Sequence, residues 1–192
     1  MPRSHAGADL PRTGRERTHR RRSVAVSGRI DVDRSLPPVA VPAIVWNELR
    51  SHALETVPEE CCGLLLGKEA GRYERVVRCR NEMTRLHQED PLSHPLDGGE
   101  AFHMNEMDYV RIQQEAEEER VQVTGVYHSH VGVGAYFSEM DRAYALEPLF
   151  PFPDADHLVI SVVERRVRDI AVFRHERATG GFEGRVLSTE AP

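Results

Sequence analysis

Two histidines and an aspartate with the spacing of metal ligands are the most informative feature of this 192-residue chain. His128 and His130 are two residues apart, and Asp141 follows eleven residues later. Side chains two residues apart on a strand point to the same face, separated by about 6.6 Å at about 3.3 Å per residue. Three such ligands leave one position of a tetrahedral zinc ion free for water, which is the arrangement of catalytic rather than structural zinc sites.

An arbitrary pair of histidines with this spacing is more often structural than metal-binding. Ser129 could be the inward residue of the strand, with both histidines on the polar surface. Other zinc-hydrolase patterns are absent from the chain: there is no HExxH helix, no HxHxDH run and no PCxxC pair of a zinc deaminase. The placement of Asp141 is what favours a metal site.

Further residues could act on the water and on a reacting carbonyl group. Glu59 and Glu60 stand just before an apolar run and either could take the proton of the water, although paired acids at such a boundary are usually solvated turn residues. Ser138 stands three residues before Asp141, which is the pattern of a helix capping box. Capping and catalysis are compatible, because the helix start would fix Asp141 while the serine hydroxyl faces the substrate.

Charge is unevenly distributed along the chain. The net charge is −6, but residues 1–40 carry nine arginines against four acidic residues, a balance of +5 that leaves −11 for the remainder. A basic arm could bind nucleic acid or a membrane surface, but the composition is more typical of a solvated, disordered extension. No apolar segment follows the arginines of 12–22, and no stretch approaches the ~18 apolar residues that cross a bilayer. We therefore expect neither a secretory signal nor a membrane span.

The cysteines indicate a reducing compartment. Cys61 and Cys62 are adjacent and Cys79 is the third, which is a poor disulfide framework. We therefore expect a cytoplasmic protein. Cys61 and Cys62 could bind zinc in principle, but no second cysteine pair completes a four-ligand site, so we expect both to pack in the core.

The hydrophobic pattern predicts one domain of mixed α/β (α+β) class without a regular βαβ repeat. The predicted helices are 42–54, 105–120 and 139–147, and the predicted strands are 62–66, 72–80, 101–104, 121–130, 157–164 and 166–175, the last two forming a hairpin. The polar stretch 81–100 is predicted to be a long loop that could bound a substrate groove. The domain is expected to span 37–177, between a disordered Arg-rich extension (1–36) and a C-terminal tail (178–192).

Taken together, these motifs resemble the JAMM (MPN+) metalloproteases, whose signature is a glutamate upstream of HxHx7SxxD. The signature is met by His128, His130, Ser138 and Asp141, with seven residues between the second histidine and the serine. The run 60–67 is similar to the family's glutamate strand, with Glu60 three residues before the glycine. The resemblance covers about residues 38–177. Many family members have proline after the second histidine, where this chain has valine.

The resemblance implies a cytidine-deaminase-like curved mixed β-sheet flanked by helices and one catalytic zinc ion. It implies that His128, His130 and Asp141 bind Zn²⁺, that Glu60 is the general base and that Ser138 stabilises the oxyanion. The implied reaction is hydrolysis of the peptide or isopeptide bond after the C-terminal glycine of a ubiquitin-like protein with a Gly-Gly tail.

The chain is most similar to bacterial members of this family, which include enzymes that release cysteine from a sulfur-carrier protein. The leaving amine stays open at this point: cysteine, a lysine side chain or a precursor peptide. The alternative function is a non-catalytic scaffold of the MPN type, against which the five intact motif positions argue.

Overall fold

The computed structural model describes residues 28–190, which form seven β-strands and four α-helices. In chain order these are β1 (Val39–Val41), α1 (Ala43–Thr56), β2 (Cys62–Gly67), β3 (Arg75–Cys79), α2 (Met83–Glu89), α3 (Glu106–Glu119), β4 (Gln122–Val131), α4 (Glu139–Ala145), β5 (Asp156–Val163), β6 (Arg166–Glu176) and β7 (Gly181–Thr189). None of these helices is long and apolar enough to cross a membrane.

All seven strands belong to one mixed sheet, in the order β1-β7-β6-β5-β4-β2-β3. The pairs β1–β7 and β4–β5 are parallel, and the other neighbouring pairs are antiparallel. Register shifts interrupt the β2–β4 and β5–β6 pairs, and such irregularities increase the local twist of a sheet. The mixed α/β class and the curved sheet predicted from the sequence are confirmed.

Helix α1 covers one face of the sheet. Its residues Val45, Leu49 and Ala53, spaced three or four positions apart, are buried in a cluster with Leu65 of β2 and Ile160 of β5. This periodicity is the signal from which the sequence predicts the helix. The helix therefore packs as its amphipathic pattern requires.

The opposite face is covered by two groups of elements. Helix α3 packs Ile112 and Ala116 against Leu64 of β2 and Val126 of β4. Farther along the sheet, Phe137 joins a separate cluster with residues of β5 and β6. Phe137 immediately precedes α4, so this face of the sheet holds both the helix and the loop that leads to it.

The elements with strong sequence patterns form where they are predicted. Glu164 and Arg165 make the turn of the predicted hairpin, both with positive φ (52° and 56°). The other predicted elements that are present are the helices near 42–54, 105–120 and 139–147 and the strands near 62–66, 72–80 and 121–130.

Part of the predicted loop 81–100 is helical. Residues Met83–Glu89 form α2, which buries no side chain and has no side-chain cap. Its pattern is therefore too weakly amphipathic to be recognised in the sequence. The strand predicted for 101–104 is reduced to one β-bridge between Met104 and Asn81.

The folded unit extends beyond the predicted limits of 37–177. Residues Gly181–Thr189, predicted to be tail, form β7 and pair with both β6 and β1. Residues 28–36 are also placed against the domain, because Ile30 pairs with Phe137. The structure does not describe residues 1–27, so the disordered Arg-rich arm stays a prediction there.

Candidate metal centre

The two histidines lie near the end of β4, in the interior of the sheet. His128 and His130 are 2% and 6% exposed, because α-helical and loop segments cover the face to which they point. Ser129 points to the opposite face, where its Oγ accepts a hydrogen bond from the Cys61 backbone N–H at 2.8 Å. The same-face prediction is thus confirmed, and the surface alternative for the histidines is wrong.

Asp141 reaches the histidines from the first turn of α4. Ser138 is the N-cap of this helix: its Oγ accepts a hydrogen bond from the Asp141 backbone N–H, and its own N–H donates to Asp141 Oδ2 at 2.8 Å. The predicted capping box is present. The carboxylate also lies 3.3 Å from His128 Nε2 and 3.5 Å from His130 Nε2.

The three side chains fit a divalent metal ion. Around a tetrahedral ion with bonds of about 2.0–2.1 Å, neighbouring ligand atoms are roughly 3.3–3.4 Å apart. The two Nε2 atoms are 3.2 Å apart, and the carboxylate distances are 3.3 and 3.5 Å. Two imidazoles and a carboxylate form a donor set suited to zinc and other first-row metals. Within residues 28–190, His128, His130 and Asp141 are the group identified as able to hold a metal.

The protonation states of these groups favour cation binding. Burial alone would raise the pKa of Asp141, but the adjacent His128 and His130 and the hydrogen-bonding Ser138 side chain hold it well below its usual range. Burial lowers the pKa of His128. At neutral pH the site therefore presents an ionised carboxylate and a neutral imidazole, the forms that bind metals.

Neighbouring groups fix the orientation of both imidazole rings. Phe102 stacks on His128 with ring centroids 4.5 Å apart, and Tyr136 lies 4.9 Å from His130. His130 Nδ1 is 3.1 Å from the Gly134 carbonyl oxygen, which can only accept a hydrogen bond. That bond places the proton on Nδ1 and leaves the Nε2 lone pair free for a metal.

Glu60 precedes β2 and lines the same cleft as the metal centre. It is 5% exposed, and burial together with the charge of Asp141 raises its pKa to about 9. The neighbouring Glu59 instead accepts a hydrogen bond from Thr84 Oγ1 at 2.7 Å. The structure therefore places Glu60, rather than Glu59, at the candidate site.

Asn81 connects Glu60 to the opposite wall of the cleft. Its Nδ2 donates to the carbonyl oxygens of Glu60 and Ala101, at 3.1 and 3.0 Å. Its Oδ1 accepts from the backbone N–H groups of Met83 and His103, both at 3.0 Å. Sequence reasoning missed both Asn81 and Phe102, because neither lies in a recognisable motif.

A cleft of about 590 Å³ opens over the centre. One wall is formed by residues 99–103 and Met83, and the other by residues between 130 and 147, including Ser138. Ser138, whose Oγ accepts the capping bond from the Asp141 N–H, stands in this wall. Of the predicted loop 81–100, Met83 and the residues at its C-terminal end border this cleft.

A family comparison agrees with this geometry. The sequence model of the prokaryotic homologs of the JAB domain matches residues 42–175. The chain belongs to this family. The match runs from the start of α1 nearly to the end of β6, so it contains Glu60 and the candidate metal centre but neither residues 28–41 nor β7.

Individual relatives of known name share about 30% of their residues with this chain over the aligned regions. The JAB-domain chain is 28% identical over 137 residues to proteins named CysO-cysteine peptidase from Mycobacterium bovis and Mycobacterium tuberculosis, covering 71% of this chain and 82% of each relative. It is 31% identical over 106 residues to the tail tip assembly protein K of Escherichia phage N15, of which the alignment covers only 36%.

Solved structures share the fold of this JAB domain. A solution structure of a Desulfitobacterium hafniense protein matches 80% of this chain and 93% of its own length, with a TM-score of 0.57 and 21% identity. A Salinibacter ruber protein gives 80% and 92% coverage, with a TM-score of 0.53 and 22% identity. At these identities the likeness concerns the fold alone.

Proposed function

We propose that this protein is a zinc-dependent hydrolase that cleaves the peptide or isopeptide bond after the C-terminal glycine of a ubiquitin-like or sulfur-carrier protein. The observation that carries the proposal is the buried group of His128, His130 and Asp141, which shares an open cleft with Glu60. Membership of the JAB-domain family supports the same conclusion.

The metal would be held by His128, His130 and Asp141, and zinc at such a site lowers the pKa of a bound water to about 7. The role of Glu60 is to accept the proton of the attacking water and to return it to the leaving amine. Its high pKa reflects burial beside Asp141, and a nearby cation would favour the carboxylate form that this role requires. Ser138 would donate its hydroxyl proton to the oxyanion that develops on the carbonyl.

A sulfur-carrier protein with a Gly-Gly tail and a C-terminal cysteine is the substrate that we favour. The Mycobacterium relatives named CysO-cysteine peptidase support cysteine as the leaving group. A glycine tail also suits a cleft between two close walls, because glycine brings no side chain. We place the reaction in the reducing cytoplasm, in keeping with the free and buried state of Cys61, Cys62 and Cys79.

The test is a cleavage assay with the purified, zinc-loaded protein. A sulfur-carrier protein that ends in Gly-Gly-Cys is incubated with it, and intact-mass spectrometry should show the loss of one cysteine residue. Parallel substrates carry a lysine-linked peptide or a precursor extension after the diglycine, and their relative rates identify the leaving amine. Failure to cleave any of the three would contradict the proposed function.

Zinc content separates the hydrolase from the non-catalytic scaffold. Elemental analysis of the purified protein should give about one zinc per chain, since the described residues contain one identified metal-ligand group. A protein that binds no zinc under these conditions, and cleaves nothing, would be better described as a scaffold.

A further inference from the structure

A segment that precedes the family match lies against the loop that carries Ser138. We call residues 28–34 the strap. Ile30 of the strap and Phe137 exchange two backbone hydrogen bonds: the Ile30 N–H donates to the Phe137 oxygen at 2.7 Å, and the Phe137 N–H donates to the Ile30 oxygen at 2.9 Å. The residue immediately before Ser138 is therefore held on both of its backbone polar groups.

The strap also contacts the residues on either side of this bridge. The Gly28 N–H donates to Glu139 Oε1 at 3.2 Å, which holds the residue immediately after Ser138. The Arg29 guanidinium lies 4.8 Å from the centre of the Tyr136 ring. Tyr136 in turn lies 4.9 Å from the ring of His130. Three consecutive strap residues thus contact three residues around Ser138.

Apolar side chains fix the strap to the domain. Ile30 and Val32 are partly buried against a cluster that contains Phe137 and Phe173, both fully buried. Removal of these apolar side chains from water stabilises the docked strap. The strap is thus packed on the core and is more than a surface loop.

The other end of the strap is attached to the edge half of the sheet. The Asp33 N–H donates to the Gly184 carbonyl oxygen at 2.8 Å, in β7. Arg34 pairs with Asp169 of β6 at 2.9 Å. The strap therefore links β6 and β7 to the loop before α4.

The loop that the strap holds is fastened to β5 at its start, where the Gly132 N–H donates to the Val162 carbonyl oxygen at 2.8 Å and Ser161 Oγ donates to the Val133 carbonyl oxygen at 2.6 Å. It contains the exposed residues Gly132 and Gly134, and Gly132 has a φ of +82°. Glycine adopts many backbone conformations, so such a loop loses more entropy when it is ordered. An external contact at Phe137 is a physical means of keeping the next residue, Ser138, in one position.

We infer that the strap is a positioning element of the active site, which holds the Ser138 hydroxyl where the oxyanion forms. This inference rests on the proposed hydrolytic function, because it assigns the strap an effect on turnover. None of the strap residues lines the cleft, and the strap acts through Phe137, Glu139 and the cleft residue Tyr136. A displacement of about 1 Å at a catalytic group can lower a rate by about 10²-fold.

Two truncations test the inference. Removal of residues 1–27 deletes the Arg-rich arm but keeps the strap, whereas removal of residues 1–34 deletes both. The shorter truncation should keep kcat within about twofold of the full chain. The longer one should lower kcat by about tenfold or more while KM and zinc content stay nearly constant. Backbone amide exchange at Phe137 should become faster in the longer truncation only, because its acceptor on Ile30 is lost.

If the longer truncation fails to fold, two conservative variants of Ile30 test the same contact. Ile30→Ala should lower kcat and Ile30→Val should restore most of it, with zinc content unchanged in both. Equal kcat in the two truncations, or in Ile30→Ala and the full chain, would overturn the inference. So would a loss of activity that follows loss of zinc or of helical circular dichroism, since that is a purely structural role.

Different measurements would contradict the role of the strap and the proposed hydrolase function. If the full-length protein cleaves no carrier, the proposed function is wrong and the kcat comparison has no basis. Even in that case, amide exchange at Phe137 shows whether the strap fixes this loop. Slow exchange with the strap and fast exchange without it would retain the positioning contact, whereas identical exchange would remove it.

Discussion

Ser138 and Asp141 exchange two hydrogen bonds across the first turn of α4, and the same Asp141 carboxylate faces both histidines of the metal centre. One structural motif therefore starts the helix and aims a carboxylate at the candidate metal centre. The capping box predicted from the sequence and the orientation of Asp141 toward the histidines are therefore parts of the same geometry.

Ser138→Ala should affect both stability and turnover. The helix loses its side-chain cap, which costs about 1 kcal/mol of unfolding free energy, and the cleft loses a hydroxyl donor. We expect kcat to fall by about 10²-fold. The control is Asn105→Ala, which removes the cap of α3, where Asn105 accepts from the Asp108 N–H at 3.0 Å. It should cost similar stability in urea unfolding with little change in kcat; equal losses of kcat would point to a structural role for Ser138.

Asp141→Asn should abolish stoichiometric zinc binding without removing the helix start. Asparagine is a neutral but similar side chain, so the charge that attracts a cation is lost while a hydrogen-bond acceptor for the Ser138 N–H remains. Elemental analysis after dialysis measures the effect. His103→Ala, at the wall of the cleft but outside the metal-ligand group, should retain about one zinc per chain. Full zinc content in the Asp141 variant would remove this residue from the ligand set.

Glu60→Gln should keep zinc and fold but lower turnover by about 10²–10⁴-fold, as expected for loss of a general base. Glu59→Gln is the matched control, because its side chain is bonded to Thr84 instead, and it should cleave at nearly the normal rate. Steady-state cleavage of the carrier protein measures both variants. If Glu60→Gln is as active as the unmodified protein, another group takes the proton.

Gly63→Ala should destabilise the protein by about 1–3 kcal/mol. A Cβ atom at Gly63 would be 2.5 Å from Tyr127 Oη and closer still to the Val77 carbonyl oxygen, so both Tyr127 and the backbone of β3 would have to move. Gly181→Ala is the control, since its added Cβ would have no contact closer than 3.5 Å. Denaturant unfolding of both variants decides whether this contact matters, and equal midpoints would show that β2 and β4 adjust without cost.

The metal-free protein should lose stability as the pH falls from about 6.5 to 4, partly through His52. Burial, and then the charge of Arg78, lowers the pKa of His52 from 6.5 to about 4, against the opposing charges of Glu48 and Glu55. Between pH 6.5 and 4 the unfolded chain therefore binds a proton at His52 that the folded chain does not bind. Protonation then favours the unfolded state, so the unfolding free energy decreases as the pH falls below 6.5.

The variant His52→Gln checks this pH dependence. In this variant the loss of unfolding free energy between pH 7 and pH 4 should be smaller by on the order of 1–3 kcal/mol. His157, whose pKa burial lowers to about 3, has the same sign and stays in the variant, so part of the decline should remain. Urea unfolding of chelator-treated protein at several pH values gives the comparison. An unchanged slope would mean that His52 is protonated in the folded state.

The elements that the sequence predicts correctly carry local patterns. Helix α1 has an apolar face at regular spacing, and β4 and the β5–β6 hairpin are long and apolar. Each of these elements can therefore be predicted from the residues of its own segment. Strand β7 was missed because only Gly184 and Leu187 of its nine residues are buried, which leaves no alternation to recognise. It is held by pairing with β6 and β1, which a single sequence does not reveal.

The residues of the candidate site also fall into those with a local sequence pattern and those brought together only by the fold. The grouping of His128, His130 and Asp141 could be predicted because their spacing is short and their chemistry is specific. Phe102, which stacks on His128, could not, since the two are brought together only by the fold. The contact of Ile30 with Phe137 joins residues more than a hundred positions apart, and an arginine-rich composition gave no reason to expect it.

Both faces of β4 are buried: Tyr127 and Ser129 on one side are fully inaccessible, and His128 on the other is 2% exposed. The positions of the two histidines therefore depend on the hydrophobic interior beneath them. Genetic screens for inactive protein should collect substitutions in α1, such as changes at Leu49, that lie far from the candidate metal centre. Substitutions on the far side of the sheet would thus alter this centre without changing His128, His130 or Asp141.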